Sequence, residues 1–400
     1  MSHSQDDGSR RIGENVRAAR VYRGLSIETA AGLVGRSKSW LSKIENGHLR
    51  LERRSDIRAL AEALEVSATD LLGEPVPAIR PKQRQLGDVI ALREVLLDSS
   101  LEDPVEMPVR PLSALAALVA GPIAQQRRAS DYPRLTAVLP GILAELHVHA
   151  ATGDERQRRT ALGLLVDMCV GATFVLRHLG QTDLAWIAAD RAERAARLLD
   201  DPVSLGTAVF AQAHSRPSAA LSRALREAGR HADRLEPHIG DDRRAFEVYG
   251  MLRLSAALAE QVRGRHAAAA EHAAEAQRIA SRIGEHLDAW QSFGPANTGV
   301  WRTMLAVEAG EPEAALQAAQ QVDAAALPSQ GRRAALAIER ARARAMSGDA
   351  AAAVRELRQA EKLSAARVHR NPLVRELVAD LYDRAPGRDL RGLAWRMNLA

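Results

Sequence analysis

Four joints in the second half of the chain constrain its fold more than any other feature. They read Leu179-Gly180-Gln-Thr-Asp-Leu-Ala, Arg263-Gly264-Arg-His-Ala-Ala-Ala, Ala309-Gly310-Glu-Pro-Glu-Ala-Ala and Ser347-Gly348-Asp-Ala-Ala-Ala-Ala, each a glycine turn opening an alanine-rich helix. The glycines recur at intervals of 84, 46 and 38 residues, the first close to two units of 42. A spacing near 40 indicates paired-helix repeats, in which every pair exposes an apolar face that only its neighbour can cover. The pattern pairs residues 154–178 with 182–199, 243–263 with 266–282, 298–309 with 311–322 and 332–346 with 350–364, and closes the stack with 373–381 and 389–397. Residues 86–150 also read as helical but do not fit the repeat. Of the 400 residues 46% are hydrophobic and only 3% aromatic, a balance that favours helices packed through small side chains. An all-α chain with almost no strand is expected.

The stretch from Gly24 to Gly47 follows a different logic, two short helices joined by a tight turn. Ser26 can cap the first, with Ala30, Ala31 and Val34 on one face; Gly35 breaks it; Ser37 can cap the second, which carries Leu41 and Ile44 inward until Gly47 ends it. So short a pair cannot bury its own stripe, and Ile12, Val16 and Ala19 before it and Ile57, Leu60, Ala61 and Leu64 after it supply matching faces. With a last short helix capped by Ser67 and sealed by Leu71 and Leu72, the product is a five-helix unit over residues 9–73. Residues 1–8 are polar and expected to be disordered. Residues 74–85 contain Pro75, Pro77 and Pro81 among Arg80, Lys82 and Arg84 and read as a semi-rigid linker to residues 86–400.

Charge is distributed unevenly between these parts. A net +5 on the whole chain is too diffuse to identify a partner, but residues 9–54 hold eleven Lys and Arg against four acids, while the remainder is close to neutral. That concentration is the electrostatic footprint of phosphate binding. Lysine occurs four times in the chain, and Lys38 and Lys43 both fall on the second helix of the pair. The alternative is that they form only the solvated face of an amphipathic helix.

From about Ile12 to Leu72, residue types and spacing resemble the helix-turn-helix domain of the XRE class, the lambdoid-repressor type, most specifically at Ser37 to Gly47 with its Ile-Glu-Asn-Gly ending. The resemblance implies that the second helix lies in the DNA major groove, with Lys38, Ser39 and Lys43 facing bases and Ser37, Ser42, Asn46, Arg50 and Arg53 on phosphate. Lysine can donate to guanine O6 and N7, while a serine hydroxyl serves either way and specifies little. Ile27 stands where members often place a glutamine that braces phosphate. The later part resembles a tetratricopeptide-like α-solenoid, as found attached to XRE-type domains in many bacterial regulators. Ser292 to Trp301, Ser-Phe-Gly-Pro-Ala-Asn-Thr-Gly-Val-Trp, is similar to a Phe-Gly-Pro-Thr-Asn motif of actinomycete-type XRE-plus-repeat regulators, with Ala296 in place of the threonine.

A solenoid's concave wall is built from the first helices of successive pairs, so a ligand would be held by residues scattered across repeats. In a chain this poor in aromatics, Trp290, Phe293 and Trp301 cluster beside Asn297 and Arg302, with Phe246 and Tyr249 one repeat earlier. Aromatic walls with one amide and one guanidinium suit a peptide or small organic effector. Aromatics at joints equally serve as wedges between repeats. The resemblance to peptide-binding quorum receptors of Gram-positive bacteria favours the effector by architecture alone.

Other chemistry is disfavoured. Cys169 has no partner for a disulfide and reads as a core residue. His147 and His149 are two apart, hence on different faces of a helix, which argues against a metal site. Asp167 and His178 read as buried hydrogen-bonding groups on one long helix. No phosphate-binding loop, nucleophile elbow or metalloprotease signature occurs, so neither catalysis nor a cofactor is expected. With no leader-like apolar segment and no uncharged apolar stretch of about 18 residues, a cytoplasmic protein with no membrane contact is expected. One reading head offers too few donors for useful selectivity, so a homodimer on an inverted-repeat double-stranded DNA operator is expected, with half-sites about 10 base pairs or a multiple apart. The competing expectation is an interaction scaffold, tethered to DNA while its repeats hold a partner protein.

Overall fold

A computed structural model describes residues 7–49, 51, 53–64, 66, 71, 83–215, 218–384 and 387–399, and these form helices and turns with no strand. The molecule is all-α, an N-terminal head followed by a stacked helical array.

The head contains α1 (Asp7–Tyr22), α2 (Ile27–Leu33), α3 (Lys38–Glu45) and α4 (Arg54–Leu64). Ile12, Val16, Ala30, Ala31, Leu41, Ile44, Ile57, Leu60 and Leu64 close its core, with Ala19 and Val34 half-buried at the edge. Helix α1 already begins at Asp7, inside the stretch expected to be a tail, while residues 1–6 lie outside the described residues. The Ser67-capped helix and Leu72 also lie outside them; Leu71 is buried in the head core. Most of the expected linker falls in the undescribed residues 72–82, and α5 (Gln83–Asp98) starts before that linker's expected end.

The array continues with α6 (Leu112–Leu118), a single π-turn at Val119–Ile123 containing Pro122, and α7 (Ala124–Arg128). Proline lacks the N–H that a regular turn needs, and the wider turn absorbs the defect. Then come α8 (Tyr132–Thr152), α9 (Glu155–His178), α10 (Thr182–Leu199), α11 (Pro202–Ser215), α12 (Ser218–Leu235), α13 (Arg243–Val262), α14 (His266–Ile283), α15 (Pro295–Ala309), α16 (Pro312–Gln320), α17 (Gln330–Met346), α18 (Ala350–Leu363), α19 (Ala365–His369), α20 (Pro372–Arg384) and α21 (Arg388–Arg396). Helices α9, α11, α13, α15 and α17 each pack on the next of that series, as well as on the helices between them. They are the inner layer; α10, α12, α14, α16 and α18 are the outer one.

The four pairs expected from the glycine joints are present, and Gly180, Gly264, Gly310 and Gly348 all turn at positive φ, 75° to 82°, where a side chain is strained. A further pair, α11 with α12, fills the gap of two units between Gly180 and Gly264. No glycine marks its joint, which is why the sequence pattern passed over it. Residues expected to be helical but outside the repeat find their place too: α5 and α8 lay Leu92, Leu96, Leu135, Leu139 and Leu143 against the first pair and cover its end. Helices α8 and α9 are long and apolar enough to cross a membrane by length and composition, although Arg134 and Glu145 interrupt the first and Asp167 the second, as expected for the second; within the array 61% and 67% of their most apolar windows are buried.

Candidate nucleic-acid interface

The turn between α2 and α3 is fixed by two serine caps and two glycines. The Thr29 amide donates to Ser26 Oγ at 3.0 Å and the Trp40 amide to Ser37 Oγ at 3.1 Å, each satisfying an orphan N–H of a helix start. Gly35 turns at φ +65° between the helices and Gly47 at φ +72° after α3. Helix α3 buries Leu41, Ile44 and Glu45 and leaves Lys38, Ser39 and Lys43 exposed, so the three expected base-facing residues share one solvent face. Lys38 is lightly paired with exposed Glu28 at 3.8 Å. Asn46 Nδ2 donates to the Ser42 carbonyl at 2.8 Å, which ties two expected phosphate contacts together at the end of the same helix.

What holds α3 in place was not anticipated. Glu45, inside the Ile-Glu-Asn-Gly ending, accepts from Arg20 of α1 at 2.6 Å and 2.9 Å, and Arg20 also donates to the Leu25 carbonyl at 2.7 Å. Both side chains are nearly sealed from water, and the hydrogen bond to Glu45 keeps the Arg20 guanidinium above its ordinary value against the pull of burial. Helix α1 can approach this closely because Gly13 has no side chain: a Cβ there would stand 2.4 Å from the Ile44 carbonyl oxygen. Ile27, in place of the usual glutamine, packs half-buried against the head core and has no polar group to offer DNA.

Two expected phosphate contacts need separate treatment. Arg50 lies outside the described residues. Arg53 is turned elsewhere: its guanidinium pairs with Asp56 at 3.0 Å and lies against Gly310 of the array, where a Cβ would stand 2.6 Å from its terminal nitrogen. Asp56 also takes Arg36 at 2.7 Å, and burial still pushes its carboxyl above the ordinary range, with Arg53 opposing. Arg58 donates to the Val262 carbonyl at 2.9 Å, so α4 is the docking face of the head and α3 the face left to solvent.

The residues expected to hold an effector are mostly sealed from solvent. Phe246, Tyr249, Trp290, Phe293, Asn297 and Trp301 are all buried, and Arg302 is exposed, away from them. Phe293 occupies the space above Gly250, where a Cβ would stand 2.0 Å from its ring. Trp290 meets Phe210 edge-on at 5.1 Å and carries Arg244 on its face at 5.1 Å; Arg282 covers Phe246 at 4.6 Å and Arg253 covers Tyr249 at 4.9 Å. Asn297 gives its Nδ2–H to the Gln291 carbonyl at 3.1 Å and takes Arg332 Nε–H at 2.6 Å. These contacts pack the aromatics between successive repeats, beside the Phe-Gly-Pro turn.

The remaining singled-out residues are structural. His147 is buried, with Nδ1 on the Leu143 carbonyl at 2.7 Å, and His149 faces outward to the Arg110 carbonyl at 2.8 Å. Burial pushes the Cys169 thiol up to about 12. Asp167 takes Arg244 at 2.6 Å, whereas His178 Nε2, expected to be bonded, has no partner among the described residues.

Residues 11–72 match a family model described as a helix-turn-helix domain. No curated protein matches the chain. Among solved structures, PlcR of Bacillus thuringiensis, crystallised with the peptide PapR7 and DNA, aligns at TM-score 0.30 and 12% identity over 91% of this chain and 99% of that one. That likeness is too loose to transfer a site. The serine caps, the glycine turns and the Arg20–Glu45 brace are therefore the frame of an N-terminal helix-turn-helix domain.

Proposed function

We propose that the chain is a sequence-specific DNA-binding transcriptional regulator of the XRE type, whose repeat array dimerises and senses a signal. The observation that carries the reading is the solvent face of α3, where Lys38, Ser39 and Lys43 project from a helix-turn-helix frame otherwise sealed by packing. In such a frame the second helix of the pair enters the major groove and its donors meet base edges. The arginine-rich surroundings supply long-range attraction to phosphate. Docking of α4 on the array favours this reading over a scaffold merely tethered to DNA, because a head held by Arg58 on Val262 moves with the array.

Two heads related by a dyad would read an inverted repeat, and a signal acting on the array would change their distance or angle. Selection of bound fragments from random duplexes by the purified protein tests this directly; recovery of no preferred sequence at moderate salt, in any oligomeric state, would refute it. Lys38→Ala or Lys43→Ala should cost roughly 1–3 kcal/mol on the selected site and little on unrelated DNA. A uniform loss on all duplexes would instead make these lysines phosphate contacts.

A further inference from the structure

The interior of the array gathers positive charge where its two ends meet. The turn between α7 and α8 comes against the start of α17, so that a Cβ on Gly331 would stand 2.7 Å from Ser130 Oγ and 3.0 Å from Arg367 Nε. Arg370 donates to the Leu179 carbonyl, joining the end of α19 to the end of α9. His178, the last residue of α9, consequently feels the charges of Arg332 and Arg367, with Arg177 adding to them.

The donors gathered here lack acceptors. Arg332 spends one N–H on the neutral Asn297 oxygen at 2.6 Å and sits 5.9 Å from the centre of the Trp301 ring. The Arg367 guanidinium makes no hydrogen bond or ion pair among the described residues, and its Nε is buried without a partner. His178 Nε2 and Trp301 Nε1 are likewise unpartnered, the latter on a side chain only 5% exposed. The carboxylate whose charge reaches Arg332 is Glu339, and it is committed to Arg342 at 2.8 Å. Burial and the neighbouring Arg367 pull the Arg332 guanidinium down to about 9, and burial followed by the surrounding arginines holds His178 well below its ordinary value. At neutral pH the imidazole is therefore uncharged and can turn an N–H toward an acceptor.

We propose that this junction is an anion-binding site, in which one carboxylate or phosphate group of a small ligand accepts from Arg332, Arg367 and His178 beside Trp301. Guanidiniums set close together in a partly desolvated interior repel one another, and an anion relieves both the repulsion and the unmet donors. The donors come from the first helices of the array and from its last, so occupancy ties the two ends together. The inference stands on this geometry and holds whether or not the chain controls genes.

The test is calorimetric titration and thermal unfolding of the full chain at constant ionic strength. The probes are inorganic phosphate, and a short peptide with a free terminal carboxylate against the same peptide amidated. The wild type should bind phosphate or the free-carboxylate peptide saturably with a raised Tm, and the arm that responds identifies the group. Arg367→Gln, which removes no bond from the fold, should weaken binding about tenfold or more while leaving the ligand-free Tm equal or higher. Arg332→Gln should weaken it too, and Arg302→Gln on the exposed surface should leave it unchanged. The site is refuted if the wild type binds neither probe, or if Arg367→Gln and Arg332→Gln bind as the wild type does.

Discussion

Glu45 shows how a residue in a recognition motif can serve the frame and not the DNA. Its carboxylate is buried and bidentate with Arg20, so its removal would leave a guanidinium without its countercharge inside the head. Breaking a buried pair from one side costs on the order of 3–5 kcal/mol, far more than the pair adds over an apolar match. Glu45→Ala is expected to melt the head at a denaturant concentration well below that of the wild type while the array transition stays in place, and loss of DNA binding should track the head's unfolding. An unchanged head transition would show that the brace is dispensable. The same residue-level accounting separates the lysines of α3, whose loss should be read in DNA affinity, from Arg53, whose partner is Asp56 and whose loss should be read in docking.

At the scale of elements, the last helices are held to the array by charge as much as by apolar contact. Glu361 of α18 accepts from His369 at 2.8 Å and from Arg396 of α21 at 2.7 Å and 2.6 Å. Burial by itself would raise this carboxyl, but the hydrogen bonds from His369 and Arg396 prevail and bring it to about 2. A carboxylate lowered on folding adds stability that is complete above its unfolded value near 4.5 and is lost as pH falls from there toward about 2. The protection factors of α21 amides, referred to the intrinsic exchange rate at each pH, should therefore fall on acidification through that window, and Glu361→Gln should remove most of that pH dependence while loosening the helix at neutral pH. If the protection factors of α21 are equal at pH 6 and pH 3, the helix is held by Leu390, Leu393 and Ala394 alone. The element scale also explains the aromatic motif: Phe293 over Gly250 and Trp290 against Phe210 lock α13 to α15 and α11.

For the whole molecule, the decisive feature is that the head rests on the array. Three array segments hold it: Val262 through Arg58, Gly310 through Arg53, and Leu373 packed against the head core. One charge-assisted bond to a carbonyl contributes about 1.5–3 kcal/mol, enough to bias the head between docked and free without locking it. Arg58→Ala should speed hydrogen exchange in α4, with the array's own Tm unchanged. Equal exchange in wild type and variant would mean that the docked arrangement is not maintained in solution.

Local chemistry was readable without coordinates because it depends on neighbours along the chain. The caps at Ser26 and Ser37, the turns at Gly35 and Gly47, the exposed face of α3 and four of the helix pairs follow from spacing and side-chain type alone. Tertiary structure decided what depends on residues far apart. Glu45 needs Arg20, Phe293 needs the void above Gly250, and the α11–α12 pair is recognisable only by what it packs on. The unmatched donors of Arg332, Arg367 and His178 arise because helices nearly two hundred residues apart in sequence meet in the folded array. Burial and electrostatics are sums over all neighbours in space, and a sequence pattern samples only those within a turn or two of the same helix.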